Sequence, residues 1–191
     1  MRLFVAVHLD PALRPAVEAV RRQLVEAWPR GQELVKWVEP QNLHFTLKFL
    51  GEVEEARVQG VLAALRVVEA SAPFRLQLVG LGAFPRARGA RVLWVGVGEG
   101  ATQLVRLAAR VEDALGPLGF LREDRPFSPH LTIGRLRVPA HHPELEAVLG
   151  RKSDVEIGSQ SVHSVELVQS VLRRPGPEYT VVRSYPLRGE S

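Results

Sequence analysis

Cysteine does not occur in this sequence of 191 residues. Its absence excludes a disulfide framework, a thiol nucleophile and zinc bound through sulfur. Methionine and asparagine occur once each, and only three of the 25 basic residues are lysines. Few side chains prone to oxidation or deamidation is a pattern that suits a protein working at high temperature. Long apolar runs are missing too: none approaches the roughly 18 residues that a membrane-spanning helix needs. The opening M-R-L-F-V-A-V-H-L-D alternates apolar and polar residues and reaches Asp10 at once. It is too short and too regular for the apolar part of a secretory leader, so the chain is read as cytoplasmic.

What is present describes a folded protein. Apolar residues make up 46% of the chain and charged residues 24%, ordinary proportions for a globular domain. A chain of this length buries roughly 70% of the surface its unfolded form would expose. Net charge is +4 with a pI near 10.1, and the basicity is carried by arginine. Guanidinium groups suit planar, bidentate phosphate recognition, although an arginine-rich composition also follows from a GC-rich genome.

One stretch organises the rest. Leu43–Leu50 reads L-H-F-T-L-K-F-L. In a strand, alternate side chains point to opposite faces. Leu43, Phe45, Leu47 and Phe49 are therefore expected on a buried face, with His44, Thr46 and Lys48 on an open one. A second H-x-T stands at His130–Thr132, within P-H-L-T-I-G-R.

The elements around the two motifs repeat in order. Arg2–His8 reads as a strand, and Asp10-Pro11 opens a helix carrying Leu13, Val17, Val20 and Leu24 at helical spacing. After the first motif come a helix over Glu54–Ala70 and a strand over Phe74–Phe84, then the turn P-R-A-R-G. The second copy runs through a strand at Arg91–Val97 and a helix at Thr102–Leu115, whose stripe is Leu104, Leu107, Ala108, Val111 and Leu115. Gly116-Pro117 stops that helix. The strand His130–Leu136 follows, then a short helix at Pro143–Leu149 and one long strand at Ser161–Leu172. The turn R-R-P-G-P leads to a last strand at Tyr179–Tyr185. Such a repeat predicts an α/β (α+β) fold of a single bilobed domain over residues 1–191, duplicated as about 1–90 and 91–191. Each lobe would carry an antiparallel-type sheet with helices outside, and the open faces would form a groove lined by both H-x-T strands.

Two histidines across such a groove supply acid–base chemistry. Imidazole titrates near neutrality, so one copy can donate a proton while the other accepts one. Threonines two residues along share the face and can donate to phosphate oxygens. No carboxylate falls on those faces, which makes the set poor for zinc or magnesium, and no cofactor is expected.

The segments W-V-E-P-Q-N-L-H-F-T-L-K-F-L-G-E-V and P-F-S-P-H-L-T-I-G-R resemble the two-histidine phosphoesterase superfamily, and within it the RNA 2′,3′-cyclic phosphodiesterases also called 2′-5′ RNA ligases. The resemblance covers essentially the whole chain. It implies hydrolysis of 2′,3′-cyclic phosphate RNA ends, tRNA fragments among them, to 2′-phosphomonoesters, with weak reversible 2′-5′ ligation. It implies His44 and His130 as the catalytic pair, His44 as acid and His130 as base, although the near-symmetric motifs do not set that direction. Thr46, Thr132 and Arg135 would hold phosphate. Arg135 falls on the Leu131/Ile133 face by strict alternation and reaches the groove only if the strand twists near Gly134. Lys48, Trp37, Phe127, Arg86 and Arg88 are candidate RNA contacts. A monomer suffices, since one chain carries both motifs. Rival readings are a non-catalytic RNA-end-binding module, and a phosphodiesterase acting on a nucleotide metabolite or a 2′-5′ oligonucleotide.

Overall fold

A computed structural model describes residues 1–174 and 176–190. Pro175, within the expected turn at 173–177, lies outside them. In chain order the elements are β1 (Arg2–His8), α1 (Arg14–Ala27), α2 (Gly31–Leu34), β2 (Val35–Trp37), β3 (His44–Glu52), α3 (Glu55–Ala64), β4 (Phe74–Phe84), β5 (Val92–Val97), α4 (Ala101–Leu115), β6 (His130–Leu136), α5 (Pro143–Arg151), β7 (Glu156–Val162), β8 (Ser164–Leu172) and β9 (Pro177–Pro186). Short 3₁₀ turns join several of them. One at Pro11–Leu13 is capped by the Asp10 carboxylate, which accepts from the Ala12 amide at 2.9 Å.

Two antiparallel sheets result, in the orders β3-β1-β8-β9 and β2-β6-β5-β4-β7. The fold is mixed α/β in two lobes, with a sheet in each. Each sheet draws strands from both halves of the chain, because β4 pairs with β5 and β8 pairs with β1. Helices cross over as well: α3 and α4 cover the β3 sheet, while α1 and α5 cover the β6 sheet. The two sheets thus correspond strand for strand, β3 to β6, β1 to β5, β8 to β4 and β9 to β7, with β2 as an extra edge.

The helices follow their apolar stripes. α4 buries Leu104, Leu107, Ala108, Val111 and Leu115, the stripe expected from the sequence, and α1 buries Val17, Val20 and Leu24. Each fully buried aliphatic side chain contributes about 1.5–3 kcal/mol. Two expectations change. The predicted helix at Glu54–Ala70 is α-helical only to Ala64 and tightens to 3₁₀ over Leu65–Ala70. The single long strand predicted at Ser161–Leu172 is two strands broken at His163, β7 in one sheet and β8 in the other. The apolar parity does shift there, from Val162 to Val165 and Leu167, but no glycine or proline between Ser161 and Leu172 marks a turn where the chain changes sheets.

Candidate active site

Both H-x-T strands enter the groove with the same burial pattern. The six residues beginning with His44 and the six beginning with His130 run half-buried, buried, half-buried, buried, buried, exposed. The shared irregularity is a β-bulge. Opposite β1, Thr46 pairs with Ala6 and Lys48 with Val5, leaving Leu47 as the extra residue. Opposite β5, Thr132 pairs with Trp94 and Gly134 with Leu93, leaving Ile133 extra. A bulge puts two residues against one and reverses the alternation beyond it.

That reversal corrects two expectations from strict alternation. Lys48 does not face the groove. It is buried on the helix side, where its ammonium donates to both Glu112 carboxylate oxygens at 2.8 Å and to the Leu121 carbonyl at 2.7 Å. An ammonium so enclosed is no RNA contact. Phe49, expected in the core, is 58% exposed on the groove face instead. The same geometry carries Arg135 onto the face of His130 and Thr132.

The imidazoles are held alike. His44 Nδ1 donates to the Asn42 carbonyl at 2.7 Å, and His130 Nδ1 donates to the Ser128 carbonyl at 2.7 Å. A carbonyl only accepts, so each proton sits on Nδ1 and each Nε2 is left for the groove. His44 Nε2 accepts from the Thr46 hydroxyl at 2.9 Å. Burial lowers the His44 pKa to about 4, opposed by the bond to Asn42 and aided by His8, Arg135 and His130. Burial also lowers His130, opposed by the bond to Ser128 and aided by Arg135. The positive charge of Arg135 thus disfavours protonation of both histidines.

Several neighbours were not legible in the sequence. His8 pairs across the sheet with His44, their rings 6.5 Å apart, and its Nδ1 lies 3.4 Å from the Glu166 carboxylate. Glu166 is buried and also accepts from Ser164 and Ser184. Burial would raise its pKa, but the hydrogen bonds from His8 and Ser164 outweigh that and hold it below the usual carboxylate range. Tyr179 stands edge-on to His44 at 5.3 Å, and Phe84 stands edge-on to His130 at 4.8 Å. Long-range register places these residues, and register leaves no local trace.

The other candidate RNA contacts divide. Trp37 lies on the helix side of β6, opposite Gly134, where its indole donates to the Gly31 carbonyl at 3.2 Å and the Arg21 guanidinium lies 5.4 Å over its ring. It is packed away from the groove, and its neighbour Lys36, exposed and paired with Arg135, takes the groove face. Phe127 is half-buried against the main core. Arg86 and Arg88 are exposed on the β4–β5 turn, with Arg86 Nε donating to the Arg88 carbonyl at 3.3 Å. Among the described residues no three histidine or carboxylate side chains gather as a metal site.

Two symmetry-equivalent imidazoles on bulged strands of a two-lobed α/β fold define a two-histidine phosphoesterase. Comparison with known proteins places the chain further. Residues 32–172 match the 2′-5′ RNA ligase superfamily, and the chain belongs to that family. It is 45% identical to the RNA 2′,3′-cyclic phosphodiesterase of Aeropyrum pernix, over 76% of this chain and 82% of that one. It is 40% identical to the RNA 2′,3′-cyclic phosphodiesterase of Archaeoglobus fulgidus, over 97% of this chain and 99% of that one. Among solved structures, TT0787 of Thermus thermophilus superposes with a TM-score of 0.76 at 35% identity, covering 100% of both chains. Escherichia coli LigT complexed with 3′-AMP superposes at 0.77 and 27% identity, covering 97% of each.

Proposed function

We propose that the chain hydrolyses the 2′,3′-cyclic phosphate at the 3′ end of RNA to a 2′-phosphomonoester, by acid–base catalysis between His44 and His130 and without a metal. The observation that carries this reading is the pair of imidazoles on equivalent strands, each with its Nδ1 held by a carbonyl two residues upstream so that its Nε2 is the nitrogen left for chemistry. Relatives named for this activity, aligned over nearly the whole chain, support it. In hydrolysis one neutral imidazole takes a proton from water as its oxygen attacks phosphorus. The P–O3′ bond breaks, and the other, protonated imidazole donates to the departing O3′. Thr46, Thr132 and Arg135 hold the non-bridging oxygens as charge develops on them. His44 is the acid in the direction the family implies. Burial favours its neutral form, so this role needs the negative charge of bound phosphate to draw a proton onto it. A 5′-hydroxyl in place of water gives a 2′-5′ linkage, the weak ligation of this reading. The substrates include tRNA fragments, with Arg86 and Arg88 as outer contacts, and the chain acts as a monomer in the cytoplasm.

The test is turnover of an RNA oligomer ending in a 2′,3′-cyclic phosphate, with the product end identified. His44→Ala and His130→Ala each lower the rate by about 10²–10⁴-fold, and a chelator changes nothing. An RNA-binding module would hold the oligomer and release no product. Loss of activity on chelation would overturn the metal-free mechanism.

A further inference from the structure

The two catalytic candidates have different neighbours across their sheets. His44 pairs with His8 on β1, whereas His130 pairs with Gly96 on β5. A Cβ at Gly96 would lie 2.7 Å from the Val79 carbonyl oxygen, so that position has no room for a side chain. Residues directly opposite in an antiparallel pair share a face, which puts His8 on the groove face with His44. Glu166 is on that face too, because Ala6 pairs with Thr46 on one side and with Glu166 on the other. Glu166 is held ionised and can only accept, so in its 3.4 Å contact with His8 the donor is Nδ1. His8 is thus arranged as His44 and His130 are, with Nδ1 taken and Nε2 left over. The His8 side chain is 32% exposed against 11% for Glu166, so the imidazole and not the carboxylate meets the groove. Ser164 and Ser184 hold the carboxylate from behind, and a cavity of about 220 Å³ opens beside the pair.

A bare carboxylate on the wall of a groove that receives phosphate would repel the ligand. With an imidazolium in front of it the same carboxylate presents a donor, and the charges of carboxylate, ring and phosphate alternate. We infer that His8, held through Nδ1 by Glu166, is a further phosphate ligand, donating from Nε2 to the substrate's phosphate on the His44 side. This deepens the phosphodiesterase reading and rests on it. The His8 and His44 rings are 6.5 Å apart, a gap that one phosphate spans with N···O distances of about 2.8 Å to each. On the His130 side the cation is Arg135, supplied by β6 itself. Its equivalent on β3 is Phe49, and Lys48 is committed to Glu112, so neither brings charge to the His44 side. His8 brings it from the neighbouring strand, and the phosphate is gripped from both walls of the groove.

Calorimetric binding of adenosine 2′-monophosphate to the wild-type chain, His8→Asn and His8→Gln at one fixed pH tests this. The amide nitrogen of asparagine reproduces Nδ1 of a histidine, and that of glutamine reproduces Nε2. His8→Asn therefore keeps a donor for Glu166 and gives up the groove nitrogen. It binds the nucleotide about 10- to 100-fold more weakly, the scale of one hydrogen bond between charged groups. His8→Gln, which returns a donor to the groove position, recovers part of that affinity. The assignment is overturned if His8→Asn binds the nucleotide as the wild type does. It is overturned equally if His8→Gln binds no better than His8→Asn, since His8 would then only support the packing of His44. A wild-type chain that binds the nucleotide but does not open the cyclic ester would sink the phosphodiesterase reading, while the affinity ratios still decide the role of His8.

Discussion

A histidine ring whose Nδ1 faces a carbonyl has its tautomer chosen for it, and both catalytic candidates are in that position. Their depressed basicity gives a pH signature. kcat/KM reports the free protein, which needs one neutral and one protonated imidazole. His44 titrates near 4 and His130 below the ordinary 6.5, so the kcat/KM profile is a bell lying between those limits. A plateau extending to pH 8 would contradict this assignment. The linkage to stability has a definite sign. His44 has a lower pKa folded than unfolded, so the unfolded chain takes up more protons between 6.5 and about 4. Stability present above 6.5 is lost as pH falls through that window, and His44→Gln flattens this part of a stability–pH curve. Lys48 makes the contrasting residue-scale case. Lys48→Met leaves the Glu112 carboxylate largely buried and unpaired, and urea denaturation should register a loss of about 3–5 kcal/mol. Combining it with Glu112→Leu recovers most of the loss. If Lys48 instead gripped RNA, the single variant would keep its stability and bind RNA with a shallower salt dependence.

At the scale of the element, two bulges decide which side chains face the groove. Alternation read correctly from Leu43 to Thr46 and from His130 to Thr132, where the pleat is regular. It failed beyond Leu47 and Ile133, exchanging Lys48 for Phe49 and bringing Arg135 to the groove. No single residue type marks a bulge, so the reversal was not legible. A hint lay in Gly134, whose place on the helix side has a steric reason. A Cβ there would sit 2.5 Å from Val35 Cγ1 and 3.0 Å from the Trp37 ring. Gly134→Ala is expected to destabilise by about 1–3 kcal/mol in denaturant unfolding, because β2 must shift to make room. A neutral outcome would mean β2 is loosely held. The helices were easier to read: the five-residue stripe of α4 is buried as its spacing implied, since one face against a sheet is a local demand.

At the scale of the whole molecule, the order of elements and the paired motifs could be read from the sequence, whereas the exchange of strands between the sheets could not. Pairing of β8 with β1 joins residues 160 or more apart in the chain, such as Leu3 with Gln169. The exchange makes an expected outcome for fragments. Residues 1–88 and 89–191, separated at the exposed β4–β5 turn, each lack strands their sheets require. Neither is expected to show a cooperative unfolding transition alone, while an equimolar mixture regains one together with activity. A fragment that folds by itself would show the halves to be independent. The exchange also bears on motion. Because the backbone passes from one sheet to the other at several places, any opening of the lobes has to bend all of those connections together. The gauge of the slot between His44 and His130 is thereby tied to the same strand exchange that builds both sheets. On the proposed function, an RNA end meets a slot whose two walls are joined by several crossings of the chain rather than by one linker.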